Sequence, residues 1–207
     1  MDAHSESPGL IEQLPGVAYV VSPAGKILDY SRDTWNQFAR TNRTPELTKP
    51  GEIINRSLFD FIDGETVRDA YQQMHDQISS GQIRYHSFLF RCDAPEFHRE
   101  MCLVLSRFDA HGESAILYQS LLLHEQMRPA MNFLLPETHK HLTTDAPIIA
   151  ICSYCLNIRE RPEDLWITPE QYYRQGGSER VRLSHGICDA CMETIVQPML
   201  GSFSTLP

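Results

Sequence analysis

Four cysteines in two pairs are the residues of this sequence whose type and spacing point to a definite chemistry. Cys152-Ser-Tyr-Cys155 and Cys188-Asp-Ala-Cys191 both have the C-x₂-C spacing, which lets two thiolates of one tight turn reach the same cation. All four ligands would be sulfur and none would be left open, so the predicted site is structural and not hydrolytic. We expect zinc, although iron fits the same four ligands and the spacing does not separate the two metals.

The other residues with chemical potential fit this site less well. His185 precedes Cys188 by three residues, and we expect it to lie beside the metal as a donor to a sulfur and not as a ligand. Cys92 and Cys102 fall in predicted strands, where small buried hydrophobic residues are expected. The motifs G-x-S-x-G, Walker A and H-E-x-x-H are absent, so we predict that the protein is not an enzyme. The plainer alternative for the paired cysteines is two unrelated pairs of reduced thiols.

Composition limits the class of protein and its partners. The 207 residues are 42% hydrophobic and 22% charged, as in a soluble globular domain with a small appendage. The net charge is −9, and from residue 146 onward five arginines face seven carboxylates, so affinity for nucleic acid or acidic membranes is not expected. We expect neither a signal peptide nor a transmembrane segment, because the first ten residues lack a basic region and an apolar run and no apolar stretch reaches 18 residues. We expect a cytoplasmic protein, whose thiols stay reduced.

The elements that must position these residues follow from the hydrophobic pattern. Two short β-branched runs are separated by a turn, and a helical stripe then precedes three long strands. The predicted strands are 16–21, 26–30, 83–92, 97–108 and 114–123, and the helix with the clearest stripe spans 67–78. Five antiparallel strands must bury one face, and the helical insert after the second strand is the available cover. The fold class is therefore α+β.

This order resembles the Per-Arnt-Sim (PAS) sensor fold over residues 8–124. The matching stretches are LPGVAYVV at 14–21, the W-x-x-F-A run at 35–39, SLFDFI at 57–62 and the turn RCDAP at 91–95. The later stretches ICSYC at 151–155 and SHGICDAC at 184–191 are similar to small cysteine modules that follow sensor domains in bacterial signalling proteins. The resemblance implies a PAS-like domain with an N-terminal helix at 1–124, a linker at 125–146, and a zinc-ribbon-like module at 147–207.

The implied function is a signal-sensing or adaptor protein whose PAS-like domain senses a small molecule or mediates pairing. Its zinc module would bind a protein partner. A ligand pocket would be lined by aromatic and sulfur-containing side chains, which otherwise simply fill the core: Phe38, Phe59, Tyr71, Phe88, Phe90 and Met101. Two other functions stay open, a zinc-finger regulator that binds nucleic acid and a redox protein that binds haem or flavin.

His75 is the candidate haem ligand, because some haem-binding PAS proteins carry an axial ligand on this helix. It lies about 80° from the centre of the apolar face at 100° per residue, so an exposed or half-buried histidine is the competing expectation.

Leu10, Ile11 and Leu14 form a short apolar stripe on a predicted N-terminal helix, which favours a homodimer.

Two local features concern the segments around the cysteines. The apolar residues between 121 and 135 predict a helical seam that is either broken or started at Pro129, followed by linker residues that include His139 and His141. Thr168-Pro-Glu-Gln171 combines a helix cap, a proline in the first turn and a capping-box partner. It predicts a short helix between the two cysteine pairs.

Overall fold

A computed structural model describes residues 9–110, 113–135, 145–160, 162 and 164–198. The larger sheet has the strand order β2-β1-β5-β4-β3 and is antiparallel. Its strands are β1 (Val17–Val21), β2 (Ile27–Tyr30), β3 (Tyr85–Arg91), β4 (Phe97–Ala110) and β5 (Glu113–Met127). The five predicted strands and their antiparallel arrangement are confirmed.

The entry to β1 depends on a glycine. Gly16 has a φ of +76°, and a Cβ atom there would lie 2.2 Å from the carbonyl oxygen of Ser120. A side chain would therefore collide with β5 and would also strain the backbone. From this point β1 pairs with β5 from Val17 opposite Ser120 to Val21 opposite Ile116.

Two α-helices and three short 3₁₀ helices separate the hairpin from the later strands. They are α1 (Arg32–Thr41), the 3₁₀ helices Pro45–Thr48, Pro50–Glu52 and Leu58–Phe61, and α2 (Glu65–Ser79). The predicted stripe on α2 is buried at Val67, Ala70, Met74 and Ile78, as the i, i+3, i+4 spacing requires. Among the described helices, none is long and apolar enough to cross a bilayer.

Two predictions about the ends of this region are wrong. The N-terminal helix is only a 3₁₀ turn at Leu10–Gln13, with Leu10 81% exposed and Ile11 buried; residues 1–8 lie outside the described residues. The helical seam is also replaced, because β5 continues to Met127 beside β4, a strand of similar length. An extended neighbour offers those residues backbone hydrogen-bond partners along one edge. His139 and His141 lie outside the described residues.

The cysteine segment forms a second, four-stranded sheet. Its strands are β6 (Ile148–Cys152), β7 (Ile158–Glu160), β8 (Leu165–Ile167) and β9 (Arg182–Gly186), in the order β8-β7-β6-β9. Strand β6 is parallel to β9, whereas the β6–β7 and β7–β8 pairs are antiparallel. Its core contains Met131 and Phe133 from the predicted linker, together with Ile151, Ile158 and Val181. A zinc-ribbon fold for this segment stays a prediction.

The predicted capping box begins helix α3 (Pro169–Arg174) as expected. The backbone N–H of Gln171 donates to the Thr168 hydroxyl at 3.1 Å, and the backbone N–H of Thr168 donates to the Gln171 side chain at 2.9 Å. The chain later reaches a helical turn at Asp189–Cys191 that continues as a π-helix at Met192–Val196.

The described chain groups into two compact units. The first comprises the chain up to Leu58, His75–Ser87 and Cys102–Leu121, and the second comprises Phe59–Met74, Phe88–Met101 and the chain from Leu122 onward. The second unit therefore combines parts of α2 and of strands β3, β4 and β5 with the whole cysteine segment. This grouping differs from the predicted domain boundaries at residues 124 and 146. Independent folding of the two predicted domains stays a prediction.

Candidate metal centre

The four paired cysteines meet at one point. The Sγ atoms of Cys152, Cys155, Cys188 and Cys191 all lie within 4.8 Å of one another, and those of Cys155 and Cys188 are 3.6 Å apart. Four sulfurs at 2.3 Å from a tetrahedral zinc ion are separated by about 3.8 Å. The cluster therefore has the size and the ligand set of a closed tetrathiolate centre.

The pairing of β6 with β9 brings the two cysteine pairs together. Cys152 is the last residue of β6 and lies opposite Gly186 at the end of β9. Beyond it the chain turns tightly, with the backbone N–H of Leu156 donating to the Cys152 carbonyl at 2.9 Å and a positive φ at Leu156. Two parallel strands that end side by side thus deliver both C-x₂-C turns to the same edge.

Local hydrogen bonds favour negative charge on the sulfurs. The backbone N–H of Cys188 donates to the Cys152 sulfur at 3.4 Å, and that of Cys191 donates to the Cys188 sulfur at 3.5 Å. Thiol hydrogen bonds from Cys155 and Cys191 lower the pKa of Cys152, and their role as donors raises the pKa of both partners. One thiolate is therefore already stabilised, and a divalent cation would offset two of the four negative charges of a tetrathiolate.

Tyr154, inside the first cysteine turn, is a site residue that sequence reasoning missed. It is 1% exposed, and its ring lies nearly parallel to that of Tyr71 with centroids 6.3 Å apart. The same ring meets Phe88 edge-on at 5.5 Å, and Phe90 lies 6.2 Å from Phe88. A large aromatic residue between two predicted metal ligands was the available signal, since such a turn would otherwise expose it.

The predicted ligand-pocket residues are placed in several parts of the structure. Tyr71, Phe88 and Phe90 belong to the aromatic cluster around Tyr154, and Met101 is buried on β4. Phe59 is half-buried on a 3₁₀ helix, and Phe38 is half-buried on α1 in the other compact unit. Tyr71 and Phe88 pack on a side chain of this chain, as core residues do, and a ligand pocket stays a prediction.

A buried network of charges lies near the same cluster and was also missed from the sequence. The Asp93 side chain is fully buried, and Arg128 lies 2.7 Å from it and 2.5 Å from Glu170 of α3. Arg91 contacts both carboxylates, at 2.7 Å from Glu170. Burial opposes ionisation of Glu170, but the hydrogen bonds and charge of Arg91 outweigh it and lower the pKa of Glu170.

Asp93, Glu170 and His98 have the donor types of a metal site, with ligand atoms within 4.8 Å of one another. Both carboxylates are already held by guanidinium groups, and the two positive charges balance the two negative charges. A cation would have to displace an arginine, so this group is an ion-pair network and not a second metal centre.

His75 is buried, which corrects the expectation of an exposed or half-buried side chain. It is 1% exposed; its Nδ1 accepts a hydrogen bond from the Tyr118 hydroxyl at 2.8 Å, and its Nε2–H donates to the Ser22 carbonyl at 3.1 Å. Both ring nitrogens therefore have partners, and these hydrogen bonds compensate the burial of a polar side chain on the flank of α2. Burial lowers the pKa of His75. These bonds disfavour axial ligation of haem, which stays a prediction.

The remaining predicted residues have ordinary environments. Cys92 and Cys102 are half-buried and not fully buried, and Cys102 alternates with the buried Met101 and Leu103 on β4, so that it points to the opposite face. Burial raises the pKa of Cys92 to about 11. His185 lies on β9 opposite Ile151, and a hydrogen bond from it to a sulfur stays a prediction.

The arginines needed by the nucleic-acid alternative are partly engaged within the chain. Arg159 is paired with Asp164 at 2.6 Å, and its guanidinium lies 6.0 Å from the centre of the Trp166 ring. Arg182 donates to the Ala146 carbonyl at 3.2 Å, and Arg161 lies outside the described residues. An ion-paired arginine has less charge to offer a phosphate, so this geometry does not favour that alternative.

Comparison with known proteins yields similar solved structures only. No protein-family model matches the chain, and no curated protein matches its sequence. Similar solved structures include the PAS domain of BvgS from Bordetella pertussis, at 11% identity over 56% of this chain and 83% of that chain, with a TM-score of 0.43.

Two further PAS domains are similar in the same way. The domain of an HTR-like protein from Haloarcula marismortui is 19% identical over 55% of this chain and 91% of its own, with a TM-score of 0.38. A PAS domain from Desulfitobacterium hafniense is 10% identical over 54% of this chain and 96% of its own, with a TM-score of 0.37. The neighbours are thus PAS domains, and at this similarity they carry nothing about ligand or activity.

Proposed function

We propose that this chain is a signal-sensing or adaptor protein in which a PAS-like sheet is combined with a zinc-stabilised cysteine module. The observation that supports it is the convergence of four cysteine sulfurs within 4.8 Å of one another. Four sulfur donors fill a tetrahedral zinc site completely and leave no position for water or substrate. The metal would therefore hold the two turns in place and would take no part in a reaction, and we assign the chain no catalytic role.

The module would present a surface to a protein partner, and the PAS-like part would sense a small molecule or mediate pairing. Leu10, 81% exposed at the start of the described chain, supports a homodimer contact because a large apolar side chain in water favours association. Static light scattering at tens of micromolar should give twice the chain mass. Deletion of residues 1–14 should give a monomer, and a monomeric full chain would contradict this part of the proposal.

Metal content is the test of the function as a whole. Protein purified in the cytoplasmic, reduced state should contain about one zinc per chain and should be colourless above 300 nm. Cys152→Ser should lose the metal, while the matched control Cys102→Ser, which changes a cysteine outside the cluster, should keep it. Protein without metal would refute the zinc module, whereas ferric-thiolate, haem or flavin absorption would replace it with a redox function.

A further inference from the structure

Tyr154 is part of both the first cysteine turn and an aromatic cluster. It lies between Cys152 and Cys155 in the turn that a metal would fix, and its ring packs against both Tyr71 on α2 and Phe88 on β3, whose own rings are 6.0 Å apart. Only two residues separate the two cysteines, so the conformation of this turn and the direction of the tyrosine are set together. Metal binding orders such turns, because the ligands are brought together only in the folded, metal-bound state.

The tyrosine is held in place by its ring and its backbone. The backbone N–H of Arg91 donates to the Tyr154 carbonyl at 2.7 Å, which ties the turn to the end of β3. The guanidinium of the same arginine binds Glu170 of α3. Two attachments of the cysteine segment therefore converge on Arg91.

The hydroxyl of Tyr154 opposes this placement. Its oxygen is buried and has no hydrogen-bond partner among the described residues, and an unpaired buried hydroxyl is costly. Ring packing alone must offset that cost once the turn is free to move. A fixed turn removes the alternative conformations in which the hydroxyl would reach water.

We propose that the cysteine centre is a metal-dependent latch that keeps Tyr154 packed against Tyr71 and Phe88. With metal bound, the turn holds the tyrosine against these two rings and caps the end of β3 through Arg91. When the metal leaves, Tyr154 withdraws, and the rings of Tyr71 and Phe88 and the Arg91 amide become accessible to water. The latch rests on the proposed metal binding. Its consequence is that the presence or absence of the metal changes the contacts that Tyr154 makes with α2 and β3.

Hydrogen–deuterium exchange on the full, reduced chain tests the latch directly. Removal of zinc with a chelator should speed exchange in residues 88–92 by about tenfold or more, as expected when a backbone hydrogen bond becomes free to open. Exchange in β1, which pairs with β2 and the first part of β5, should stay unchanged. Equal acceleration in β1 would mean global unfolding and would overturn a local latch, as would unchanged exchange at 88–92.

Three zinc-loaded variants separate the latch from the metal site itself. Tyr154→Ala should keep its zinc and still show fast exchange at 88–92. Tyr154→Phe should retain protection, since the hydroxyl it removes has no partner, and Tyr173→Ala should behave as wild type because Tyr173 is partly exposed. Wild-type exchange in zinc-loaded Tyr154→Ala would refute the latch while leaving zinc binding intact. Absence of zinc from the wild type would instead refute the proposed function and the latch with it.

Discussion

Replacement of Asp93 by asparagine should destabilise the protein strongly. Asp93 is fully buried, pairs with Arg91 and Arg128, and accepts a hydrogen bond from the backbone N–H of Arg99 at 3.0 Å. Asparagine keeps the size of the side chain but removes its charge. Two arginines, with side chains 12% and 7% exposed, are then left with Glu170 as the remaining carboxylate of the network.

The magnitude follows from the burial of the uncompensated charge. Removing one partner of a buried ion pair typically costs about 3–5 kcal/mol. At roughly 2–4 °C per kcal/mol for a chain of this length, Asp93→Asn should lower the melting temperature by about 6–20 °C. Urea unfolding of the reduced protein as purified gives the free energy, and unfolding must be followed by two probes because a two-unit chain need not unfold in one step.

The matched control is Glu52→Gln. Glu52 also pairs with an arginine, Arg56, but the two side chains are 57% and 47% exposed and their charged atoms are 3.9 Å apart. An exposed pair contributes roughly 0–1 kcal/mol. The reasoning is refuted if Asp93→Asn and Glu52→Gln shift the urea midpoint by similar amounts.

Three further changes probe other parts of the structure. Tyr118→Phe removes the hydroxyl that donates to His75, and the loss of this buried hydrogen bond should cost about 0.5–1.5 kcal/mol in urea unfolding; a neutral effect would contradict the hydrogen bond. Burial lowers the pKa of His75. The stabilising contribution of the neutral ring is therefore complete above the pKa of about 6.5 that histidine has in the unfolded chain, and it is lost as the pH falls through the lower pKa of His75 in the folded protein. Between pH 7.5 and 5.5, His75→Gln should therefore lose less stability than wild type, and parallel profiles would exclude this role. Thr168→Ala removes the α3 cap and should cost about 0.5–2 kcal/mol, whereas the same change at the exposed Thr41 should cost less.

Local patterns predicted much of the fold. The alternation of the strands, the stripe on α2 and the capping box at Thr168 depend on residues close in sequence, so their consequences can be read from it. The cysteine cluster is long-range but was still predictable, because its four members share one chemical requirement. The helical seam failed because an apolar stretch suits a strand equally well when a neighbouring strand supplies backbone partners.

The contacts of the cysteine segment could not be predicted in the same way. Tyr154 meets Tyr71 and Phe88, and Glu170 meets Arg91, over separations of more than 60 residues. A single charged or aromatic residue carries no signal for its partner, since most such residues lie on the surface or fill a core. The exposure of His75 was predicted wrongly for a related reason. The helical angle places the residue on the flank of the apolar face, but it does not show whether hydrogen-bond partners are present at that position.

X-ray absorption at the zinc edge of the purified, reduced protein tests the central claim most directly. The account predicts a first shell of four sulfur atoms at about 2.3 Å, with no nitrogen or oxygen ligand, and a Cys191→Ser protein that loses this shell. A shell containing nitrogen or oxygen, or fewer than four sulfurs, would contradict a closed centre made by Cys152, Cys155, Cys188 and Cys191.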